Sequence, residues 1–509
     1  MNPEAVNDPL NAGARYERRR GEWQCAALIF VLLLACYVYF LPRWADPNQN
    51  SRLDMVVAVV DNGTFHIDAY VDNTVDYAYY QGHYYSDKAP GAAFLGIPTY
   101  AALRSFLELP VMDRLMTSLS NNQALTATLR EGGTGLLTQK VRFAMAQVAV
   151  TFVVSALPTA WIGVLLYRLM AQFTAQPWPR IVAVVGYGLL TPAFAYAGAF
   201  YGHQLSAACL FTAFYLVFTR MKRLPTQEML AIGLLLGYSV ITEYPSVLIA
   251  GILFLHTFYH LKDKRRIGWV ILTGALIGIG WMTYNNAIFG SPLELGYGYS
   301  ELWIEQHHTG FMSLTLPHWS AIWGITFGKF RGLFVLSPLL LLALPGFILW
   351  WRSGEHRPTF WVTLINVLIV FLFNSSSIMW WGGFAVGPRY LLPMLPFMVL
   401  PVVFVFREWG KRAWLKGIVV VLYTWSLLAT WGLTLAGQAF PPDTLHNPLL
   451  EYAWPNWKAS DIARNLGMFL HLPGIASLFP VLTGAISLLV ALWFLSRRGS
   501  TTATKGRNV

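Results

Sequence analysis

The sequence predicts an all-α polytopic membrane protein. Hydrophobic residues make up 55% of the chain and charged residues only 12%, against roughly 25% charged in a soluble domain. Apolar stretches rich in Leu, Val, Ile and Ala recur from Trp23 to Leu495, which excludes a soluble domain held by one anchor. A backbone inside lipid must satisfy its hydrogen bonds internally, and stretches of this composition do so as helices.

Residues 1–22 carry Arg15, Arg18, Arg19 and Arg20 and read as a basic cytoplasmic N-terminus. No cleavage site follows a short apolar core, so residues 23–42 read as a retained first helix and not as a signal peptide. The further spans are 141–167, 181–200, 204–219, 228–242, 246–261, 267–288, 333–351, 359–379, 391–406, 415–435 and 476–496. That makes roughly twelve transmembrane helices, several of them under the roughly 20 residues that a span usually needs. Residues 228–261 fit either two helices or one kinked pair, and 90–108 fits either a span or a surface helix.

Positive charge decides the second choice. If 90–108 does not span, the inner side holds 23 Lys+Arg against 8 Asp+Glu, and the outer side 13 against 17. The net charges of +15 and −4 recover the overall +11. If 90–108 spanned, the basic loops that follow would all move outside. The basic balance therefore marks orientation, and no nucleic-acid footprint is seen. A first extracytoplasmic loop, 43–140, follows the first span, and residues 23–288 form the larger module. An outer loop covers 289–332, C-terminal helices cover 333–496 with an outer loop at 436–475, and a cytoplasmic tail covers 497–509.

The first loop departs from the short turns elsewhere. It holds Asp46, Asp54, Asp61, Asp68, Asp72, Asp76 and Asp87, with Arg52, Lys88 and a run of tyrosines. Residues 52–60 read as a short amphipathic juxtamembrane helix, with Met55, Val56, Val59 and Val60 on one face and Asp61-Asn62-Gly63 as its stop. Such a helix would lie on the membrane with Asp54 near its start. Tyr77, Tyr79, Tyr80, Tyr84 and Tyr85 fit an interfacial aromatic belt, and the same rings could stack on sugars.

Other polar residues at span ends fall on the same outer face. They are His203 in Phe200-Tyr201-Gly202-His203-Gln204, Glu243-Tyr244, Asn285 and Asn286, Arg331, and Arg389 after Val386-Gly387-Pro388. Ionisable groups near membrane depth are costly and point to function, although each alone could be a snorkelling or paired interfacial charge. Cys25, Cys36 and Cys209 lie in apolar spans and suggest neither a disulfide framework nor a zinc site. No phosphate-binding Gly-rich loop and no G-x-S-x-G elbow occurs. Gly233 and Gly237 read as helix packing. Asn62-Gly63-Thr64 fits a glycosylation triplet that also arises by chance.

The outer-loop carboxylates, followed by Tyr84-Tyr85-Ser86-Asp87-Lys88-Ala89-Pro90-Gly91, resemble the GT-C fold glycosyltransferases that use polyprenyl-phosphate sugars. Lipid A aminoarabinose transferases and protein O-mannosyltransferases are of this type. The likeness lies mainly in residues 20–220. In the family, a first-loop lysine before a proline contacts the donor phosphate. Here one residue separates Lys88 from Pro90, and the acidic pair that the family often carries after its first helix is replaced by Asn48-Gln49-Asn50-Ser51-Arg52-Leu53-Asp54. The resemblance implies sugar transfer from a polyprenyl-phosphate donor to a lipid or glycan hydroxyl, with inversion, on the extracytoplasmic face of a bacterial inner membrane.

The chemistry is coherent on its own terms. An acceptor hydroxyl must lose a proton, which a carboxylate can take, and cations stabilise charge developing on the leaving phosphate. Asp54 is the first candidate base, Asp87 the second and Glu243 the third. Lys88, Arg52, Arg389 and Arg331 are the candidate phosphate ligands. Tyr84, Tyr85, His203, Tyr244 and Asn285 are candidate substrate contacts. No cofactor is expected beyond the lipid-linked donor, and a divalent metal is left open. The alternatives are a transporter or flippase, a lipid-linked-glycan polymerase or ligase, and a metalloenzyme built on His203, His307 and His308. No internal repeat of the kind transporters carry is seen.

Overall fold

The computed structural model describes residues 9–44, 46–112, 114, 117, 140–221, 223–302, 309–310 and 313–505. Helix α1 (Pro9–Val38) buries Cys25, Ile29, Leu32, Leu33 and Cys36, one stripe at helical spacing. The stripe packs on Leu157–Met170 and on the C-terminal helix Phe479–Lys505. At one end of the bundle, Glu22 on α1 pairs with the buried Arg180 at 2.6 Å. At the other end, Phe40 bridges to Asn465 in the 436–475 loop.

Among the described residues, seven helical stretches are long and apolar enough to cross a membrane. They are Arg20–Val38, Lys140–Met170, Lys264–Phe289, Arg357–Ser375, Arg389–Trp409, Ala413–Leu435 and Gly474–Arg497, while Thr226–Thr242 and Pro338–Ser353 are apolar but shorter. The expected count of about twelve is thus not reached by length and apolarity. Proline is one physical reason, since it removes a backbone donor and clashes with the preceding turn. Residues 181–200 fold as Pro177–Leu190 and then, past Thr191-Pro192, as Ala193–Ala197. Residues 333–351 are broken at Ser337-Pro338.

The first loop folds against the bundle. Helix α2 (Pro47–Val57) starts earlier than residue 52 because Asp46 caps it, its carboxylate accepting from the Gln49 N–H at 3.1 Å, with Pro47 in the first turn. A π turn, Ala58–Asn62, carries it to Gly63, whose φ of 70° supplies the left-handed stop. Residues 48–57 are all buried, so α2 is an internal helix and not one lying on the membrane with an exposed face. Leu53, Met55 and Val56 pack with Ala92, Ala93 and Tyr100 of α3 (Gly91–Leu107) and with Phe143 and Val150. Between α2 and α3, strands β1 (Ala78–Tyr80) and β2 (His83–Tyr85) form a hairpin. Helix α3 spans the ambiguous 90–108 segment and has Pro98 inside it.

Two glycines set how closely the loop approaches the bundle. A Cβ on Gly91 would stand 2.8 Å from the backbone of Thr242, and one on Gly202 would stand 2.5 Å from the Glu243 carboxylate. Gly233 sits as tightly on Val270 and Thr273, which is helix packing as the sequence suggested.

Candidate active site

The loop-to-bundle seam gathers most of the expected ionisable residues into one buried cluster. Helix α2 turns Arg52 inward, where Nη2 meets Glu243 Oε1 at 3.3 Å and Nη1 donates to Asn48 O at 3.1 Å. His203, at the first turn of Gly202–Arg220, places Nδ1 3.2 Å from the same Glu243 oxygen. Burial alone would raise Glu243, but His203, Arg52 and Arg389 outweigh it and push its carboxyl down to about 2.

The turn after β2 supplies Lys88. Its Nζ lies 3.1 Å from Asp76 Oδ2 and 3.0 Å from Asp87 Oδ1. Burial works against the ammonium, yet the two carboxylates hold it above its usual value. Because two acids share one cation, burial and the neighbouring Asp76 push Asp87 up in spite of Lys88. Ser300 Oγ donates to Asp87 Oδ2 at 3.0 Å, which ties the 289–302 segment to the turn.

Arg389 closes the far side. Its guanidinium lies 5.4 Å from the Tyr201 ring centre and 5.2 Å from that of Tyr390. Among the described residues, its hydrogen bonds are long ones to the two phenol oxygens, 3.4 Å each, and its buried Nε has no partner. Tyr201 hands the contact on, donating to Asp46 Oδ2 at 2.8 Å. Burial pushes Asp46 above the usual carboxylate range even though Gln49 and Tyr201 hydrogen-bond its charged form. Arg331 is used differently. It donates to the carbonyls of Ala385 and Gly383 at 2.7 Å each and to Pro441 at 3.3 Å, and so holds the turn that carries Arg389.

The cluster holds four cations, Arg52, Lys88, Arg331 and Arg389, and four acids, Asp46, Asp76, Asp87 and Glu243, all buried or nearly so. Three of the acids sit in ion pairs. Asp46 has none among the described residues, its partners being the neutral Tyr201 and Gln49. Beside the cluster lies a small cavity of about 20 Å³, lined by His203, Glu243 and Tyr390 together with apolar residues such as Ile249, Val370 and Phe373.

No family model matches the chain, and no curated protein matches it either. Among solved structures it is similar to ArnT from Cupriavidus metallidurans in the apo state, at a TM-score of 0.45 and 13% identity. It is similar too to the same protein bound to undecaprenyl phosphate, at a TM-score of 0.43 and 13% identity. Each match covers 78% of this chain and 62% of ArnT, so the chain spans less than two thirds of that protein's length.

Several expected site residues fall elsewhere. Asp54 lies two positions from Arg52, and residues so spaced on a helix do not share a face. Its one hydrogen bond among the described residues comes from Asn73 at 3.3 Å, and burial pushes its carboxyl well above the usual range. The Tyr84 ring meets Tyr77 edge-on and the Tyr85 ring leans on Phe289. Asn285 Nδ2 reaches Pro292 O at 3.5 Å. Tyr244 stays near the cluster, its hydroxyl accepting from Trp281 and its ring against Tyr297. His307 and His308 lie outside the described residues, and His203 is engaged by Glu243.

The sequence reading passed over Asp46, Asp76, Tyr201, Tyr297 and Ser300. Asp46-Pro47 did carry a signal, because an acid before a proline marks a capped helix start. Asp76 carried none, since its partner Lys88 is brought in by the hairpin.

Proposed function

We propose that this chain is an integral-membrane glycosyltransferase of the GT-C type. It moves a sugar from a polyprenyl-phosphate donor to a hydroxyl of a lipid or glycan acceptor at the extracytoplasmic surface, with inversion at the anomeric carbon. The observation that carries the reading is the buried seam where Arg389, Arg52 and Lys88 stand among carboxylates, with apolar side chains such as Ile249, Val370 and Phe373 lining a small cavity beside it. An amphiphilic phosphate donor needs cations and apolar surface side by side.

Within this reading Arg389 is the first phosphate ligand, because among the described residues its hydrogen bonds are long and go to neutral phenols. Lys88 follows and must loosen its hold on Asp76 or Asp87 to take the anion. Asp46 is the base in place of Asp54. An ion pair suppresses a carboxylate's proton affinity; Asp46 has none among the described residues, and burial raises its pKa although the charge of Arg389 pulls it the other way. Glu243, held low by His203 and Arg52, positions those two groups. The departing phosphate keeps the bonding electrons, and the hydroxyl proton passes to Asp46 as the new glycosidic bond forms.

The test is release of polyprenyl phosphate from a panel of polyprenyl-phosphate sugars by the purified protein in lipid nanodiscs with crude envelope lipid as acceptor. Arg389→Ala should lose donor binding, and Lys88→Ala should lose turnover while still inserting. Turnover close to the parent's in both variants, or no release from any donor, would overturn the reading.

A further inference from the structure

A second set of chemically distinctive side chains lies on the hairpin and takes no part in the proposed transfer. His66, Asp68 and His83 bring their ligand atoms within 4.8 Å of one another. The Nδ1 atoms of the two histidines point at a single carboxylate oxygen, Asp68 Oδ2, from 3.2 Å and 2.7 Å. The two imidazole rings lie nearly parallel with centres 4.8 Å apart. Histidines seventeen positions apart, on either side of Asp68 and both in contact with its Oδ2, mean that the local fold, not chain proximity, has assembled the set.

The backbone pins this arrangement. Ile67 N–H donates to Tyr84 O at 2.7 Å, and His66 bridges to Tyr85. Tyr84 N–H donates to Asp68 Oδ1 at 2.7 Å, which fixes the carboxylate plane and leaves Oδ2 aimed at the imidazoles. Ligating carboxylates in metal sites are held in this way from the outer shell. The two histidines also hold the Asp68 carboxyl below its usual value, against the pull of burial.

We propose that His66, Asp68 and His83 form a binding site for a divalent transition cation of the zinc class, and that the ion clasps strand β2 of the hairpin to residues 66–68, which follow the Gly63 stop after α2. Two imidazoles and one carboxylate suit such ions and disfavour magnesium or calcium, which prefer all-oxygen shells. Zinc bonds of about 2.0–2.2 Å in a tetrahedron put ligand atoms roughly 3.3 Å apart. The His66–Asp68 distance of 3.2 Å already fits, and the His83–Asp68 distance of 2.7 Å must open slightly. The two imidazoles must also draw together, and these side chains are a third to a half exposed, so little packing resists the move. The fourth position would hold water. His83 opens β2, three residues upstream of Ser86-Asp87-Lys88, so the ion would stiffen the strand that delivers Lys88 without touching the reacting groups.

The experiment uses tag-free full-length protein in detergent, stripped with chelator and titrated with Zn2+ by calorimetry and with Co2+ by absorption. One equivalent should bind, with the visible bands of low-symmetry cobalt. Losing an outer-shell partner already weakens a site roughly 10–100-fold, so His66→Ala, His83→Ala and Asp68→Asn should each weaken binding by at least that much. Saturable binding that survives in His66→Ala/His83→Ala, or no saturable binding in the parent, would overturn the proposal in favour of a purely hydrogen-bonded trio. If a variant fails to fold, the parent protein decides. Zn2+ but not Mg2+ should raise its melting temperature and shield both histidines from diethyl pyrocarbonate, and the absence of both effects overturns the proposal.

Discussion

At the scale of single residues, the seam depends on which acid is left unpaired. Asp46→Asn keeps the size and the Gln49 cap contact but removes the proton acceptor. Turnover should fall on the order of a hundredfold or more, the scale of general-base contributions, with donor binding little changed. Full turnover by Asp46→Asn would move the base to Asp87. Asp54→Asn should behave in the opposite way. Burial pushes that acid well above the usual carboxylate range, so an amide should keep turnover within a few-fold and raise the melting temperature at neutral pH. A loss of a hundredfold in Asp54→Asn would restore it as the base. Lys88→Ala should remove about 2–4 kcal/mol of transition-state stabilisation, read as a drop in kcat. Glu243 adds a pH signature. Its folded value is depressed to about 2 from its usual 4.5, so its stabilisation is present above pH 4.5 and is lost as pH falls toward 2. Melting curves of Glu243→Gln should therefore lie below the parent's at pH 6 and converge with them near pH 2. Lys88, Arg389 and Glu243 were legible in the sequence because each is a charge in an otherwise apolar or turn-rich stretch. The ranking of the acids was not, because pairing across 191 positions, as between Arg52 and Glu243, leaves no local trace.

At the scale of elements, the spans were visible wherever apolar composition continued for long enough, as at Ala413–Leu435. The breaks at Pro192 and Pro338 belong to the same pattern but interrupt it. Helix α2 was harder to read. Its valines suggested one apolar face, yet Asn48, Gln49, Asn50 and Ser51 are buried too, because each finds an internal partner: Asn50 donates to Trp44 O and Asn73 O, Ser51 bonds Ser86, Gln49 accepts from the Phe200 N–H and Asn48 accepts from Arg52. Polar residues inside a protein look, in sequence, like polar residues facing water. The seam itself depends on a glycine at the start of α3. Gly91→Val would force the Lys88 turn away from Thr242. It should reduce turnover at least as much as Lys88→Ala while the seven long spans still insert. Near-parental turnover in Gly91→Val would show that the turn need not approach so closely.

At the scale of the whole molecule, the expected orientation puts the basic loops inside and the gathered site outside. Arg180 with Glu22, and Arg407 with Glu355 at 2.8 Å, sit at one end of the bundle. The expected extracytoplasmic residues 43–140 can be probed by a cysteine placed at Arg114, since Arg130 lies outside the described residues. An impermeant reagent added from outside should label it, and labelling only from the cytoplasm would mean that α3 crosses the membrane. The seam also has a property that belongs to no single residue. Its four cations and four acids cancel, and the buried Arg43, whose charge acts on Asp46, leaves one positive charge over. So small a net charge casts little field beyond a Debye length of about 8–10 Å in ordinary salt. It therefore cannot draw an anionic lipid from a distance, and would recognise phosphate only once the head group has already slid in along the membrane plane. Encounter would then be governed by lateral diffusion in the bilayer, and its rate should stay nearly flat as ionic strength rises.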